Sequence, residues 1–229
     1  LSLKKLVVLT GAGMSAESGV KTFREAGGLW EGHDVMEVAS PEGFRKNPEL
    51  VLDFYNQRRR QLKEVEPNQG HVNLAKLEDH FDVHIITQNV DDLHERAGSS
   101  KVLHLHGELR KVRSTSYPDL IYYREDDVVV GDTCEKGAQL RPHIVWFGES
   151  VPMIEKAAEI TYQADIFVII GTSMQVYPAA GLIDFVSDGT PIYFIDPNPN
   201  IHESYYSNLT VIEDTAVGGT EKLLKILIG

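Results

Sequence analysis

The chain has 229 residues, 42% of them hydrophobic, and its 22 basic and 34 acidic side chains leave a formal net charge of −12. That length supports one large domain, or one domain with a small inserted lobe, and the acidic balance disfavours nucleic acid as a partner. No apolar stretch approaches the roughly 18 residues of a membrane span and no secretory pattern opens the chain, so a cytoplasmic protein is expected; the lone Cys134 excludes an internal disulfide and a zinc site built on cysteine pairs.

The first predicted strand, Leu6–Leu9, runs into Thr10-Gly11-Ala12-Gly13-Met14-Ser15-Ala16-Glu17. Glycines there let a backbone approach a pyrophosphate, and the small residues open a helix whose free N–H groups favour phosphate charge. The spacing departs from G-x-G-x-x-G, because Ala16 holds the third glycine position, so an ordinary turn explains the stretch equally well. A helix beginning at Asn47-Pro48 carries Val51, Phe54, Tyr55, Arg58 and Leu62 on one stripe. Arg58 falls inside that stripe with Tyr55 one turn before it, and the pair suits a carboxylate; an arginine packing its stem on the core suits the spacing as well. Arg59 and Arg60 are expected to face solvent.

The strand Val83–Thr87 leads into Gln88-Asn89-Val90-Asp91-Asp92, either a polar cluster for a ligand or an Asn/Asp turn capping a helix. In Val102–Leu105 and the residues after it, His104-Leu105-His106-Gly107 alternates imidazole with apolar residues, putting both histidines on one face. His106, last before the glycine, suits a general base, and His104 a structural hydrogen-bonded role. A metal site on this pair needs further ligands at other strand ends; His71, His80, His84, His94, His143 and His202 are expected in helices or loops. Further on, Val145-Trp146-Phe147-Gly148-Glu149 offers backbone groups for pairing with an extended peptide. Strands at Ile166–Gly171, Ile192–Ile195 and a sixth at Thr210–Ile212 complete the series, with Gly171-Thr172-Ser173-Met174 and Asp196-Pro197-Asn198 at strand ends.

Continuous apolar strands of this kind predict an α/β fold, a Rossmann-like parallel sheet with a smaller inserted lobe. The gaps after Leu9 and Leu105 are too long for simple crossovers, so the small lobe is expected from 33–70 and 108–147, and the Rossmann-like lobe from 1–32, 71–107 and 148–229.

In combination, Gly11-Ala12-Gly13-Met14-Ser15, Thr22-Phe23-Arg24, Thr87-Gln88-Asn89-Val90-Asp91, His104-Leu105-His106-Gly107, Val145-Trp146-Phe147-Gly148-Glu149 and Gly171-Thr172-Ser173 resemble a sirtuin, an NAD-dependent protein-lysine deacylase, from about Leu6 onward. More narrowly the chain is similar to the bacterial CobB type and the desuccinylase class, whose Tyr-x-x-Arg motif matches Tyr55-Asn56-Gln57-Arg58 and whose enlarged acyl pocket has alanine where Ala39 stands. The resemblance implies that Gly11, Ala12, Gly13, Ser15, Glu17, Phe23 and Arg24 line the NAD pyrophosphate and nicotinamide region. It implies that Asn89 and Asp91 hold the carboxamide, that Gln88 and His106 reach the ribose, and that Gly171, Thr172, Ser173, Asn198 and Ala216 border the adenosine end. Tyr55, Arg58 and Ala39 would meet the acyl group, and Val145–Glu149 the peptide of an acyl-lysine protein substrate.

Two departures stand out. Ser114 and Ser116 lie where related enzymes have the first zinc cysteines, and only Cys134 remains of the second pair, so no zinc is expected and Tyr117, Leu120, Ile121 and Tyr122 are expected to pack the lobe. Asp196 stands where many sirtuins have Asn. The implied chemistry is attack of the acyl oxygen on the nicotinamide ribose, His106 as base, and release of nicotinamide and O-acyl-ADP-ribose. Other readings are an NAD-cleaving ADP-ribosyltransferase or glycohydrolase, an NAD-binding module without turnover, and a metal-dependent hydrolase on His104 and His106.

Overall fold

A computed structural model describes residues 2–21, 29–201, 204 and 206–229. Among these, the strands are β1 (Lys5–Thr10), β2 (Leu29–Trp30), β3 (His33–Asp34), β4 (Asp82–Thr87), β5 (Val102–His104), β6 (Gly107–Ser114), β7 (Ile121–Tyr123), β8 (Leu140–Ile144), β9 (Ile166–Ile170), β10 (Ile192–Asp196) and β11 (Leu209–Glu213). The helices are α1 (Gly13–Ala16), α2 (Val35–Val38), α3 (Pro41–Lys46), α4 (Pro48–Gln61), α5 (Gln69–Lys76), α6 (Leu93–Arg96), α7 (Ile154–Tyr162) and α8 (Ala216–Ile228).

A parallel sheet of order β11-β10-β9-β1-β4-β5 forms the centre. Its inner strands β1, β9 and β10 are largely apolar because both faces are covered. Leu6 and Val8 of β1 point into a cluster with Leu74 of α5 and Leu223 of α8, whereas Val7 and Leu9 point into one with Ala157 of α7 and Leu182. All six expected strands are present, the sixth as β11.

The second sheet is antiparallel, of order β7-β6-β8, and packs with α2, α3 and α4. Two histidines differ from the expectation of a helix or loop position, since His84 lies within β4, the strand expected at Val83–Thr87, and His143 within β8, a strand whose proline and arginine hid it in the sequence. The chain passes from β1 to β4 and β5 on one side of the sheet, then returns to β9, β10 and β11 on the other. The β1/β9 boundary is therefore a topological switch point, where the carboxyl ends of parallel strands leave a crevice.

Candidate active site

At that crevice a cavity of about 560 Å³ opens between the strand ends of the large sheet and the loops of the small one. Gly11, Ala12 and Gly13 follow β1 on its floor, Gly171, Thr172 and Ser173 follow β9, and Asn198 follows β10. The glycines also serve a second purpose. A Cβ on Gly11 would lie 2.7 Å from the Gly171 carbonyl oxygen, and one on Gly13 would lie 2.6 Å from Gly171 Cα. Their small size lets two strand-end turns pack on each other and thereby shapes the floor. Ala216 opens α8 at the rim, and Glu17, also on the wall, accepts a hydrogen bond from Val217 N at 2.9 Å. Gln88 donates to Thr172 Oγ1 at 3.2 Å and ties the β4 and β9 turns together. Phe23 and Arg24 lie outside the described residues.

A buried polar knot lies deeper. Ser15 Oγ donates to Asp91 Oδ2 at 2.9 Å, and Asp91 Oδ1 accepts from Leu93 N at 3.1 Å, so this carboxylate both caps α6 and anchors the site. Asn89 Nδ2 donates to the Gly11 carbonyl at 3.0 Å and to Ser15 Oγ at 3.2 Å, which leaves Oδ1 as its acceptor. Burial pushes the Asp91 carboxyl up, against the Leu93 N–H and Ser15 hydrogen bonds. Two imidazoles, which sequence reasoning placed only as helix or loop residues, stand behind the knot. His71 Nδ1 accepts from Asn68 N at 3.2 Å, so its Nε2 carries the proton that faces Ser15 Oγ at 3.4 Å. The His71 ring is 4.9 Å from that of His94, whose Nε2 meets Thr10 Oγ1 at 3.0 Å. The Asn-x-x-His spacing of a capping box was the available signal for His71.

His106 lines the cavity, and its Nδ1 lies 3.2 Å from the Gln88 carbonyl oxygen. A carbonyl only accepts, so Nδ1 carries the proton and Nε2 is left with a lone pair. Burial pushes the ring below its ordinary value, against the Gln88 contact, and it is neutral at pH 7. His104 is engaged otherwise: Nδ1 faces the Asn89 carbonyl at 3.1 Å and Nε2 the Glu95 carboxylate at 2.6 Å. Burial opposes its charge, but the Glu95 contact outweighs burial and raises its pKa.

On the small-lobe side Arg58 and Ala39 reach the cavity wall. The Arg58 guanidinium lies 4.9 Å from the Phe54 ring, and its Nε and Nη1 are buried with no hydrogen-bond partner among the described residues. Desolvation lowers its pKa, partly countered by Glu31 and Asp53. Tyr55 does not join it on the wall. Its hydroxyl is fully buried and accepts from Trp146 Nε1 at 2.9 Å, so Tyr55 stands one layer behind the indole that does line the cavity.

Val145, Trp146, Phe147, Gly148 and Glu149 all border the cavity, but their backbone donors are largely engaged within the fold. Val145 N donates to His106 O, Phe147 N to Ala39 O, Glu149 N to Trp146 O, and Trp146 N to Glu149 Oε2, at 2.8 to 3.0 Å. The expected open edge for strand pairing is therefore reduced, because the segment folds back through Glu149 rather than running extended. Trp30 and Glu31, also on the wall, went unread in the sequence, where they lie in a short glycine-flanked stretch without periodicity.

The family model described as Sir2 matches residues 11–178, across both strand-end turns, the polar knot and His106. The chain belongs to the Sir2 family. It is an NAD-dependent protein deacylase, and the enzymes of that name from Helicobacter pylori strain J99 and Bacteroides thetaiotaomicron are similar to it. The first is 58% identical over 226 residues, 99% of this chain and 96% of that protein; the second is 55% identical over 233 residues, 99% of each. Among solved structures, a Sir2 homologue in complex with NAD superposes with a TM-score of 0.86 at 39% identity, over 98% of this chain and 89% of that one. A Sir2 protein bound to acetylated peptide gives 0.80 at 27% identity, over 98% and 93%.

In this Sir2 chain the Ser114 and Cys134 side chains meet at 3.3 Å, inside a cluster of Leu52, Val112, Val128 and Leu140. Leu120 and Tyr122 pack against that cluster as expected, whereas Ile121 is exposed at the end of the edge strand β7 and Tyr117 is exposed in the turn before it. Among the described residues no group of three or more His, Cys, Asp or Glu is arranged to hold a metal ion. No helix of the described residues is long and apolar enough to cross a membrane.

Proposed function

We propose that this deacylase removes succinyl and malonyl groups, and also acetyl groups, from protein lysines, releasing nicotinamide and O-acyl-ADP-ribose. The observation that carries the reading is Arg58: a guanidinium on the cavity wall with two buried nitrogens unpartnered among the described residues. An unpaired buried charge is costly, and a carboxylate at the end of an acyl chain supplies the missing acceptor. Trp146 walls the same space, and Ala39 keeps it wide.

The crevice fits NAD. It lies at the switch point of a parallel sheet, and Asn89 Oδ1 and Asp91 present acceptors suited to a carboxamide N–H. When bound, NAD supplies an electrophilic ribose carbon and nicotinamide as leaving group. The residues of the chain do the rest: Asn89 and Asp91 orient the carboxamide, the Ser15 hydrogen bond holds Asp91 in place, and His106 Nε2 accepts a hydroxyl proton. Gly171, Thr172, Ser173, Asn198 and Ala216 border the adenosine end, and Gly11, Ala12, Gly13 and Glu17 the pyrophosphate side.

The test is nicotinamide release with and without acetyl- and succinyl-lysine peptides. Release is expected only with an acyl-lysine present, and release without one would favour an NAD glycohydrolase or transferase. Arg58→Met is expected to lower kcat/KM on the succinyl peptide about a hundredfold and on the acetyl peptide by less than about threefold, from the loss of charge-assisted hydrogen bonds. Equal losses on both peptides would remove the clamp.

A further inference from the structure

Arg113 of β6 and Arg141 of β8 stand directly opposite each other in the antiparallel register. Like charges in that relation repel, so the pair requires a shared anion. Glu149 supplies it, 2.6 and 3.0 Å from the two terminal nitrogens of Arg141 and 3.3 Å from Arg113. Glu149 lies beyond the end of β8, so satisfying both arginines obliges the chain to fold back over Arg141.

That return closes on a single guanidinium. Arg141 Nη2 donates to the Ile144 carbonyl at 3.0 Å, and its Cζ sits over the Trp146 ring, 3.5 Å from the centroid. Glu149 Oε2 accepts from Trp146 N at 2.8 Å, and Trp146 Nε1 reaches Tyr55 OH at 2.9 Å, one helical turn before Arg58. One side chain therefore ties down the backbone of 144–149 and the indole on the cavity wall.

We propose that Arg141 is a positioning residue for acyl-lysine binding, a brace that holds the peptide-side segment and the Trp146 wall in one geometry without touching substrate. The proposal rests on the reading of Trp146 and 147–149 as the acyl-lysine side of the cavity. It assigns the work to a planar fork that also stacks, which an ammonium does not reproduce. Small displacements of a binding wall are costly in catalysis.

The experiment compares wild type, Arg141→Lys and Arg141→Met well below their melting temperatures. Wild-type turnover of acetyl- and succinyl-lysine peptides is measured first and tests the deacylase reading by itself. With that turnover present, both variants are expected to raise peptide KM about tenfold or more, by a similar factor for the two peptides, since the wall is common to both. NAD KM is expected within about twofold of wild type, and kcat at saturating peptide within about threefold. A folded Arg141→Met with wild-type peptide KM overturns the proposal, as does an equal rise in NAD KM, or full rescue by Arg141→Lys, which would reduce Arg141 to a counter-charge for Glu149. Should Arg141→Met fail to fold, Arg141→Gln, which likewise lacks the guanidinium fork and its charge, takes its place with the same expected rise and the same overturning result.

Discussion

His104 and His106, two residues apart, hold their protons in opposite ways. His104 faces an acceptor at each nitrogen, the Asn89 carbonyl and the Glu95 carboxylate, and so favours the cation; His106 faces only the Gln88 carbonyl and is buried, and so favours the neutral ring. The alternation in sequence put both on one face, but the partners that separate their roles come from β4 and α6, which no local pattern shows. A base must be neutral to accept a proton. With its pKa depressed by burial, His106 stays neutral until the pH falls below the ordinary histidine value of 6.5. The acid limb of kcat/KM, measured from pH 5 to 8, is therefore expected below 6.5, and a limb centred above it would dismiss His106 as the base. His106→Tyr is expected to abolish turnover while NAD binding, followed by calorimetry, persists; residual turnover near wild type would have the same force.

At the scale of elements, α4 shows three neighbouring arginines with three fates. Its start was legible, since Asn47 caps Leu50 N at 3.1 Å and Pro48 takes the first turn. The stripe through Val51, Phe54 and Tyr55 was legible too, with Arg58 at its edge. Arg59 was not, and the expectation that it faces solvent is wrong: it is 1% exposed, donating to Leu109 O at 2.9 Å and to Asn56 Oδ1 at 2.8 Å. Leu52, Asn56 and Arg59 form a second buried row because the backbone around Val128 packs on that side, with Asn56 bonding both Val128 N and Val128 O. A helix buried on two faces carries polar residues on one of them only when a distant loop supplies the partners, so periodicity alone misses it. Burial lowers the Arg59 pKa to about 10, which leaves it charged at pH 7. Arg59→Ala is therefore expected to cost roughly 3 kcal/mol by urea denaturation, through the broken link between α4, β6 and this loop. Arg60→Ala, which loses an exposed pair with Asp127, is expected to cost under about 1 kcal/mol. Comparable costs for the two would contradict the assignment.

For the whole molecule, the large sheet was legible because burial on both faces writes continuous apolar runs, whereas the small lobe was legible mainly as a gap, since its strands are short and its partners long-range. Ser114 and Cys134 meet within an apolar cluster, at the place where the sequence departs from the zinc cysteines of related enzymes, so a chelator is expected to leave the melting temperature unchanged, and stoichiometric zinc by elemental analysis would refute this. The histidines predict a larger effect. His71 and His143 are pushed to about 4, chiefly by burial, and His94 well below its ordinary value by burial and its two histidine neighbours, so all three fold neutral. Between pH 4 and 6.5 the unfolded chain binds protons that the folded chain excludes, so stability is complete above about 6.5 and declines as the pH falls. His104 acts oppositely: its raised pKa contributes stability at low pH that is lost as the pH rises through its folded value. With His106 also depressed by burial, four imidazoles oppose one, and His71, which is fully buried, accounts for on the order of 3 kcal/mol across the window. Urea midpoints at pH 7.5, 6 and 5 are expected to fall steadily, and His71→Gln, which retains a capping-box acceptor, to flatten the slope by about one proton. A midpoint that holds or rises on acidification would mean that these imidazoles are not buried neutral in the folded protein, and the hydrogen-bond directions derived around Ser15 and Asp91 would fall with them.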